Sequence, residues 1–316
     1  MLVSLLDRSR TRVDRSSAAA VADTVERARW AEAAGYHRFR VAEHHAVPGI
    51  ASGTPAVLLA AIGAATTAIG LGTAGVMLPN HTPLLVAENA LILEALFPGR
   101  LDLGIGRSLG FTPPIRRALR AESADGFAAD LSDLLGFLHG TGSVTAQPAA
   151  DRPIPVSVLA TGSGLEVAAR LGLPVIVGGP ALADPDRIRT YRRAFVPTET
   201  TPRPRVTVSA DILVADSDAD ARVLALSEAV ALAESRRTGD FPPLRPVTEM
   251  PELGPRALEV AERTLAGAVF GSRETVRREL ERLVERTDAD EILSSASTYD
   301  RAALRASDEA LVSVLA

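Results

Sequence analysis

The sequence predicts an α/β protein built as a (β/α)8 barrel, and three observations lead to that fold. Eight β-strand patterns alternate with helix patterns along the 316 residues, and such alternation is typical of a parallel sheet. Eight repeats in a chain of this length favour a closed barrel over an open sheet. No Gly-x-Gly-x-x-Gly loop follows the first strand, which weakens the alternative, an open doubly wound sheet.

The strand patterns are short apolar runs bounded by turn residues. We expect strands at residues 2–6, 36–41, 69–78, 101–105, 155–159, 175–177, 205–214 and 291–295. The strand at 69–78 contains several glycines, and the strand at 101–105 alternates in character. A Pro-rich stretch, residues 237–256, carries five prolines and is expected to be a loop or an excursion from the barrel.

Helices are expected between these strands, with recognisable start and stop signals. Gly35 ends the first helix, and Thr54 with Pro55 opens the second as N-cap and first-turn residue. Asp216 to Asp218 form an N-cap cluster before a long helix. Besides the long helix after Asp218, the expected helices are residues 18–34, 55–66, 83–97, 125–138, 164–171, 185–195, 273–286 and 301–315.

Composition limits the function classes. The 47% hydrophobic residues are enough for a sizeable core, and we expect one domain over residues 1–316. The net charge is −5 without a basic block, which argues against nucleic acid as a partner. The absence of Cys excludes disulfides and a Cys nucleophile, and it fits a cytoplasmic location. No signal-peptide pattern and no apolar run of ~18 residues appear, so no membrane association is expected.

A Glu-His-His run at residues 43–45 directly follows the second predicted strand. Ligands bind at the carboxyl ends of the strands in α/β proteins. An imidazole titrates near neutral pH, so a histidine here is a candidate general acid or base. The alternative is one surface histidine beside one core histidine. No set of Asp, Glu and His residues has clear ligand spacing, and no metal site is predicted.

Three further segments lie at predicted strand ends. Residues 72–81 place glycines late in a strand, which indicates a bulge or close approach to a ligand, or else a weak strand. Arg107 follows a Gly-rich strand end and suits a phosphate or carbonyl oxygen, or else a surface salt bridge. Residues 160–164 offer hydroxyls and backbone amides for an anion, or else an ordinary helix cap. Together these segments suit a planar ring carrying a phosphate.

Several stretches of the chain resemble the flavin-dependent, bacterial luciferase-like monooxygenases. The matching stretches are residues 42–45, 72–79, 98–107, 161–174 and 270–295. The resemblance implies a TIM barrel with one excursion, residues 237–270, between the seventh strand and its final helix. It also implies FMN, supplied reduced by a separate flavin reductase. In that family the reduced flavin reacts with oxygen to give a C4a-peroxide, which oxidises a small organic substrate.

The resemblance also implies roles for individual residues. His44 matches the catalytic histidine beside the flavin ring. Two residues match the bulge under the isoalloxazine, where relatives have a non-proline cis peptide, and four match the surroundings of the flavin phosphate. These six residues are, in chain order, Ala74, Gly75, Arg107, Thr161, Gly162 and Ser163.

Two alternative functions remain, and the sequence also bears on the oligomeric state. Relatives of this family use a deazaflavin coenzyme for hydride transfer without oxygen, and a non-catalytic flavin-binding homologue is a further alternative. The helices at residues 55–66 and 83–96 contain small residues that allow close helix contact, although ordinary barrel packing also uses them. Mainly from the resemblance, we expect a homodimer.

Overall fold

A computed structural model of the chain describes residues 1–160 and 162–315. Its strands are β1 (Leu2–Asp7), β2 (Arg38–Val41), β3 (Gly70–Thr73), β4 (Val76–Met77), β5 (Leu101–Gly106), β6 (Val156–Leu159), β7 (Val175–Gly178), β8 (Val206–Ala210), β9 (Ile212–Val214), β10 (Val269–Gly271) and β11 (Glu291–Ser294). Its α-helices are α1 (Ser17–Ala34), α2 (Pro55–Ala65), α3 (Pro83–Leu96), α4 (Pro113–Leu119), α5 (Phe127–Leu138), α6 (Gly164–Arg170), α7 (Pro180–Ala183), α8 (Pro185–Ala194), α9 (Asp218–Thr238), α10 (Pro255–Ala266), α11 (Arg273–Thr287) and α12 (Arg301–Leu315).

The main sheet has the strand order β3-β2-β1-β11-β8-β7-β6-β5-β4. Strand β3 at one end of this order also pairs with β5, which closes the sheet. The pairings β1 with β11, β5 with β6 and β6 with β7 are all parallel. The predicted eight-stranded parallel barrel is therefore confirmed.

Two predicted strands are divided in the structure. The strand predicted at residues 69–78 becomes β3 and β4, and a 3-10 turn, Leu78–Asn80, follows them. The strand predicted at 205–214 becomes β8 in the barrel and β9, which pairs with β10 in a separate two-stranded sheet. In each case one apolar run forms two strands with different pairings, and the periodicity of the run does not show where it divides.

The helix predictions are confirmed with small shifts of their ends. Gly35 ends α1 with a φ of 87°, as a left-handed C-cap requires. Thr54 is the N-cap residue of α2 and Pro55 lies in its first turn, as predicted, although the Thr54 side chain makes no capping hydrogen bond. Helices α4, α7 and α10 were not predicted. Helices α4 and α7 are too short to show helical periodicity, and α10 lies in the stretch expected to be an excursion.

The chain divides into two compact units. The first contains residues 1–39, 44–53 and 208–316, and its fully buried side chains include Leu5, Ala28 and Ile292. The second contains residues 40–43 and 54–207, with Leu59 and Ile105 among its fully buried side chains. Burying one such Leu or Ile side chain stabilises a fold by about 1.5–3 kcal/mol.

Residues 237–270, the predicted excursion, are folded as part of the first unit. Helix α10 packs on α9 through small side chains such as Ala229, Ala233 and Ala261. Upstream of α10, the backbone of Leu244 accepts from Val13 and donates to Thr11. The excursion is thereby attached to the loop that follows β1.

None of the helices in the described ranges combines the length and the apolar character needed to cross a membrane.

Candidate active site

The Ala74–Gly75 segment separates β3 from β4 within the second unit. The peptide bond between these residues is cis, as the resemblance predicts. The Ala74 N–H donates to the Val41 carbonyl at 2.8 Å. A Cβ on Gly75 would lie 2.7 Å from the Gly104 carbonyl oxygen, so a side chain there would force β4 and β5 apart. Gly75 is therefore required by the close approach of two strands.

A buried ion pair lies next to this segment. The Arg40 Nη1 atom is 2.9 Å from the Asp102 Oδ1 atom, and Nη1 also donates to the Thr73 carbonyl at 3.0 Å. The Thr73 hydroxyl donates to the Gly104 carbonyl and accepts from the Gly104 N–H, at 2.7 and 2.9 Å. These contacts fix the end of β3 against β2 and β5, directly before the strand division.

Glu43 organises the turn that follows β4. Its buried carboxylate accepts from the backbone N–H of Met77 at 3.0 Å and from the Asn80 amide at 2.8 Å. The His81 Nε2 atom lies 2.8 Å from the same carboxylate. Within the second unit, Glu43 is a structural anchor for residues 77–81.

Arg107 and Ser163 form a donor pair after β5 and β6. The Arg107 guanidinium donates to the Ser163 hydroxyl at 2.5 Å, and both residues are exposed. Within residues 1–160 and 162–315, Ser163 is the only polar partner of Arg107. A Cβ on Gly162 would meet nothing within 4 Å, so open space adjoins the pair. Thr161 lies outside the described residues.

In the first unit, His44 lies on the loop that follows β2 and is half-buried. Its backbone N–H donates to the Ser52 carbonyl at 2.9 Å. The imidazole meets the Phe241 ring edge to face, with the ring centroids 6.3 Å apart. Phe241 is buried, and its carbonyl accepts from the Gly49 N–H at 2.6 Å. The excursion therefore supplies one wall of the His44 environment.

A charged cluster lies beside this loop. The Glu228 carboxylate is 3.1 Å from Arg8 Nη2 and accepts from Arg10 Nε at 2.9 Å. The Arg10 guanidinium also lies 5.7 Å from the centroid of the Phe241 ring. Asp211 accepts from the Ser295 hydroxyl at 2.7 Å and is 3.9 Å from Arg8 Nη2.

The pKa values in the cluster move in opposite directions. Burial raises the pKa of Asp211, and neighbouring Glu228 raises it further, while Arg8 opposes both effects. Burial also acts to raise the pKa of Glu228, but Arg10 and Arg8 outweigh it and the net pKa is lowered. Of the two carboxylates, Glu228 is therefore the one whose ionised form the cluster stabilises.

Sequence reasoning missed the residues that surround the predicted ones. Phe241 and Glu228 are far from residues 43–45 in sequence, and no local pattern links nearby Ser52 to His44. Arg8 and Arg10 did leave a signal, since they follow the first predicted strand at the end where barrels place their functional residues. Of the predicted residues, the described structure brings Arg107 and Ser163 together.

Comparisons with known proteins identify the family. The model for luciferase-like monooxygenases matches residues 1–291. A luciferase-like monooxygenase from Escherichia coli (strain K12) is 35% identical over 314 residues, with 95% of this chain and 92% of that protein covered. The crystal structure of apo-MsnO8 has a TM-score of 0.89 and 31% identity, with 99% of this chain and 98% of that chain covered. The chain belongs to the luciferase-like monooxygenase family and is an enzyme of that family.

Two more distant structures share the fold and differ in cofactor. The oxygenating constituent of 3,6-diketocamphane monooxygenase from Pseudomonas putida, in complex with FMN, has a TM-score of 0.74 at 16% identity, covering 99% of this chain and 96% of that chain. An F420-dependent secondary alcohol dehydrogenase, in complex with an F420-acetone adduct, has a TM-score of 0.70 at 14% identity, covering 100% and 99%. At these identities the likeness concerns the fold alone.

Proposed function

We propose that the chain is an FMN-dependent monooxygenase, which uses reduced flavin and molecular oxygen to oxidise a small organic substrate. The observation that carries the proposal is the Arg107–Ser163 donor pair beside open space at Gly162. Among the described residues this pair has no carboxylate partner, and a guanidinium beside a hydroxyl suits a phosphate group. Reduced FMN would supply the electrons that activate oxygen.

The residues of the chain fit such a cofactor. Arg107, Ser163, Gly162 and Thr161 hold the phosphate end in this proposal. Ala74 and Gly75 would support the flavin ring. The close packing of Gly75 on Gly104 fixes the position of the Ala74–Gly75 segment.

His44 is the proposed catalytic residue. Its ring holds or moves a proton during oxygenation, which is a role that a half-buried imidazole performs near neutral pH. The Ser52 carbonyl fixes the backbone of His44, and the Phe241 ring limits the rotation of its imidazole. These contacts orient the side chain.

The experiment begins with anaerobic titration of the purified protein with reduced FMN, followed by rapid mixing with oxygenated buffer. We expect saturable FMN binding and a flavin absorbance transient that requires both protein and oxygen. Arg107→Gln should weaken FMN binding about tenfold, since it removes hydrogen bonds to a charged group. Arg117→Gln, at an exposed arginine of α4, is the matched control and should bind like the parent.

The same experiment separates the competing functions. Tight binding of coenzyme F420 without any oxygen-dependent transient would replace the proposal with hydride transfer by a deazaflavin enzyme. Binding of FMN without a transient would support a non-catalytic flavin-binding homologue. Equal FMN binding by the Arg107 and Arg117 variants would contradict the proposed phosphate site.

Three further parts of the proposal concern assembly. A separate flavin reductase supplies the reduced FMN, residues 1–316 act as one domain, and two copies of the chain form a homodimer through α2 and α3. The dimer is supported by apolar side chains exposed on these helices, which include Val57, Leu85 and Leu96.

A further inference from the structure

Arg10, in the loop after β1, connects the loop that carries His44 to the excursion. Its buried guanidinium donates from Nη1 to the Gly49 carbonyl at 2.8 Å, and Gly49 belongs to the same loop as His44. The same Nη1 atom donates to the Pro242 carbonyl at 3.4 Å. One nitrogen atom therefore joins the His44 loop to the residue that follows Phe241.

The Arg10 guanidinium is itself held in a fixed position. Its Nε atom donates to Oε2 of Glu228, a buried carboxylate on α9, at 2.9 Å. The Arg10 backbone forms an antiparallel bridge with Ile50, and the neighbouring Thr11 N–H donates to the Gly49 carbonyl at 3.0 Å. The rigid, planar guanidinium can donate in several fixed directions at once, which a lysine ammonium on a flexible stem does not reproduce. Arg10 is therefore a fixed link between three segments of the first unit.

Phe241 is packed between Arg10 and the His44 loop. The Arg10 guanidinium carbon lies 5.7 Å from the centroid of the Phe241 ring, which is within the range of a cation–π interaction. The Phe241 carbonyl accepts from the Gly49 N–H at 2.6 Å. A Cβ on Gly49 would lie 2.1 Å from the Pro242 carbonyl oxygen, so the two backbones are in direct contact. The ring that meets His44 is thus fixed both by Arg10 and by the loop of His44 itself.

We propose that Arg10 is a positioning residue, which holds the His44 imidazole in its working orientation through Phe241 and the Gly49 backbone. The Phe241 ring transmits the effect, since it meets the imidazole edge to face with 6.3 Å between the ring centroids. A small displacement of a catalytic group can lower a rate by up to about 100-fold. The inference deepens the proposed function and rests on His44 as its catalytic residue.

The test follows the orientation of the His44 ring by NMR, without any cofactor. The chain has five histidines, so protein labelled with ¹³C-histidine gives a small set of Cε1–Hε1 signals, and the His44→Gln variant identifies the signal of His44. The ring current of Phe241 displaces that signal, and Phe241→Leu measures the size of the displacement. Spectra at about pH 9, well above the ordinary histidine pKa of about 6.5, exclude effects of protonation.

Arg10→Met keeps an apolar stem and removes the charge and the hydrogen bonds. We expect it to move the His44 signal at least halfway toward its position in the Phe241→Leu protein. Arg10→Lys should move the signal less, because a positive charge beside the ring remains. Arg15→Gln, at an exposed arginine of the same segment, should leave the signal at its parent position. An unchanged His44 signal in a folded Arg10→Met variant would overturn the proposal.

Kinetics then test whether the orientation matters for the reaction. Protein loaded with reduced FMN is mixed rapidly with oxygenated buffer. We expect Arg10→Met to slow the same protein-dependent step as His44→Ala, by about tenfold, because the imidazole is misplaced rather than absent. FMN affinity should change by less than about threefold, since the proposed phosphate site keeps its hydrogen bonds. Equal losses of rate and FMN affinity would indicate a general loss of structure and contradict a positioning role.

The outcomes separate this inference from the proposed function. Circular dichroism checks the fold of each variant, and Arg10→Lys, judged by the same criteria, replaces Arg10→Met if that variant unfolds. A displaced His44 signal together with parent kinetics would contradict the part of Arg10 in the reaction. If the parent protein shows no response to FMN and oxygen while the Arg10 variants displace the His44 signal, the proposed function fails and the positioning of His44 by Arg10 stands.

Discussion

His44, the proposed catalytic residue, illustrates how much of a side chain's environment comes from distant parts of the chain. Its backbone is fixed by Ser52 and its ring meets Phe241, which lies almost two hundred residues later. Arg10 lies on that phenylalanine and pairs with Glu228. Replacement of His44 should therefore remove a proton-transfer group while leaving its surroundings in place.

We predict that His44→Ala lowers the rate of substrate oxygenation roughly 100-fold or more, the usual contribution of general acid–base catalysis. FMN affinity should change by less than about threefold, because the proposed phosphate site lies on other residues and keeps its hydrogen bonds. Stopped-flow turnover and FMN titration measure the two effects. His139→Ala, at an exposed histidine after α5, is the control. Equal losses of oxygenation and FMN affinity in the His44 variant would show that His44 is a binding residue.

At the residue level, the sequence identifies positions next to strand ends and little of what surrounds them. Arg107 and Ser163 were predicted separately, and the structure joins them in one hydrogen bond. The Arg8 cluster was not predicted, because its partners Glu228, Asp211 and Ser295 come from three different segments. Pairings of this kind depend on the tertiary fold, whereas strand ends depend on local pattern.

Single elements of the first unit are tied together by one buried arginine. Arg27 of α1 pairs with Asp7 at the end of β1 and with Asp308 of α12, at 2.9 Å in each case. Thr24 and Ser9 also donate to the Asp7 carboxylate, at 2.8 and 2.6 Å. Removing one partner from a buried charge network leaves the others uncompensated, which costs more than the network contributes as a whole.

The Asp7 carboxylate makes the stability of these elements depend on pH. Burial acts to raise its pKa, but Arg27 and the donated hydrogen bonds outweigh it and lower the pKa below 3.8. The stabilisation by Asp7 is therefore present above pH 3.8 and is lost as the pH falls through the lower folded-state value. Asp308 has a pKa raised mainly by burial, so its effect on stability has the opposite pH dependence and becomes less favourable as the pH rises.

We predict that Asp7→Asn lowers the free energy of unfolding at neutral pH by roughly 2 kcal/mol, because hydrogen bonds to a charged group are lost. The variant should also lose less stability than the parent protein on acidification below pH 3.8. Urea unfolding at a series of pH values measures both effects. Asp125→Asn, at an exposed carboxylate, should follow the parent curve. Parallel curves for the Asp7 variant and the parent would contradict the assignment.

At the element level the sequence prediction was most accurate where one element has one role. Helices α1 and α12 were placed within one residue of their observed ends. The strand predicted at residues 205–214 failed as a single element, since its two halves join different sheets. Apolar periodicity reports burial and does not report which neighbour buries a segment.

For the whole molecule, the proposed homodimer depends on one surface of the second unit. On α3, Leu85, Ile92 and Leu96 follow a spacing of seven and four residues, which places them on one helix face, and all three are exposed. On α2, Val57 is 68% exposed. The two helices contact one another, so their exposed apolar side chains offer a continuous candidate surface for a second copy.

We predict that the purified protein has twice the mass of the chain in size-exclusion chromatography with light scattering. The double variant Leu85→Glu with Leu96→Glu should give the monomer mass, because burying two carboxylates in an apolar contact is strongly unfavourable. Val223→Glu places a carboxylate at a side chain of α9 that is 47% exposed, and it should remain dimeric. A parent protein that is monomeric at all concentrations would exclude the dimer. A double variant that stays dimeric would move the interface away from α3.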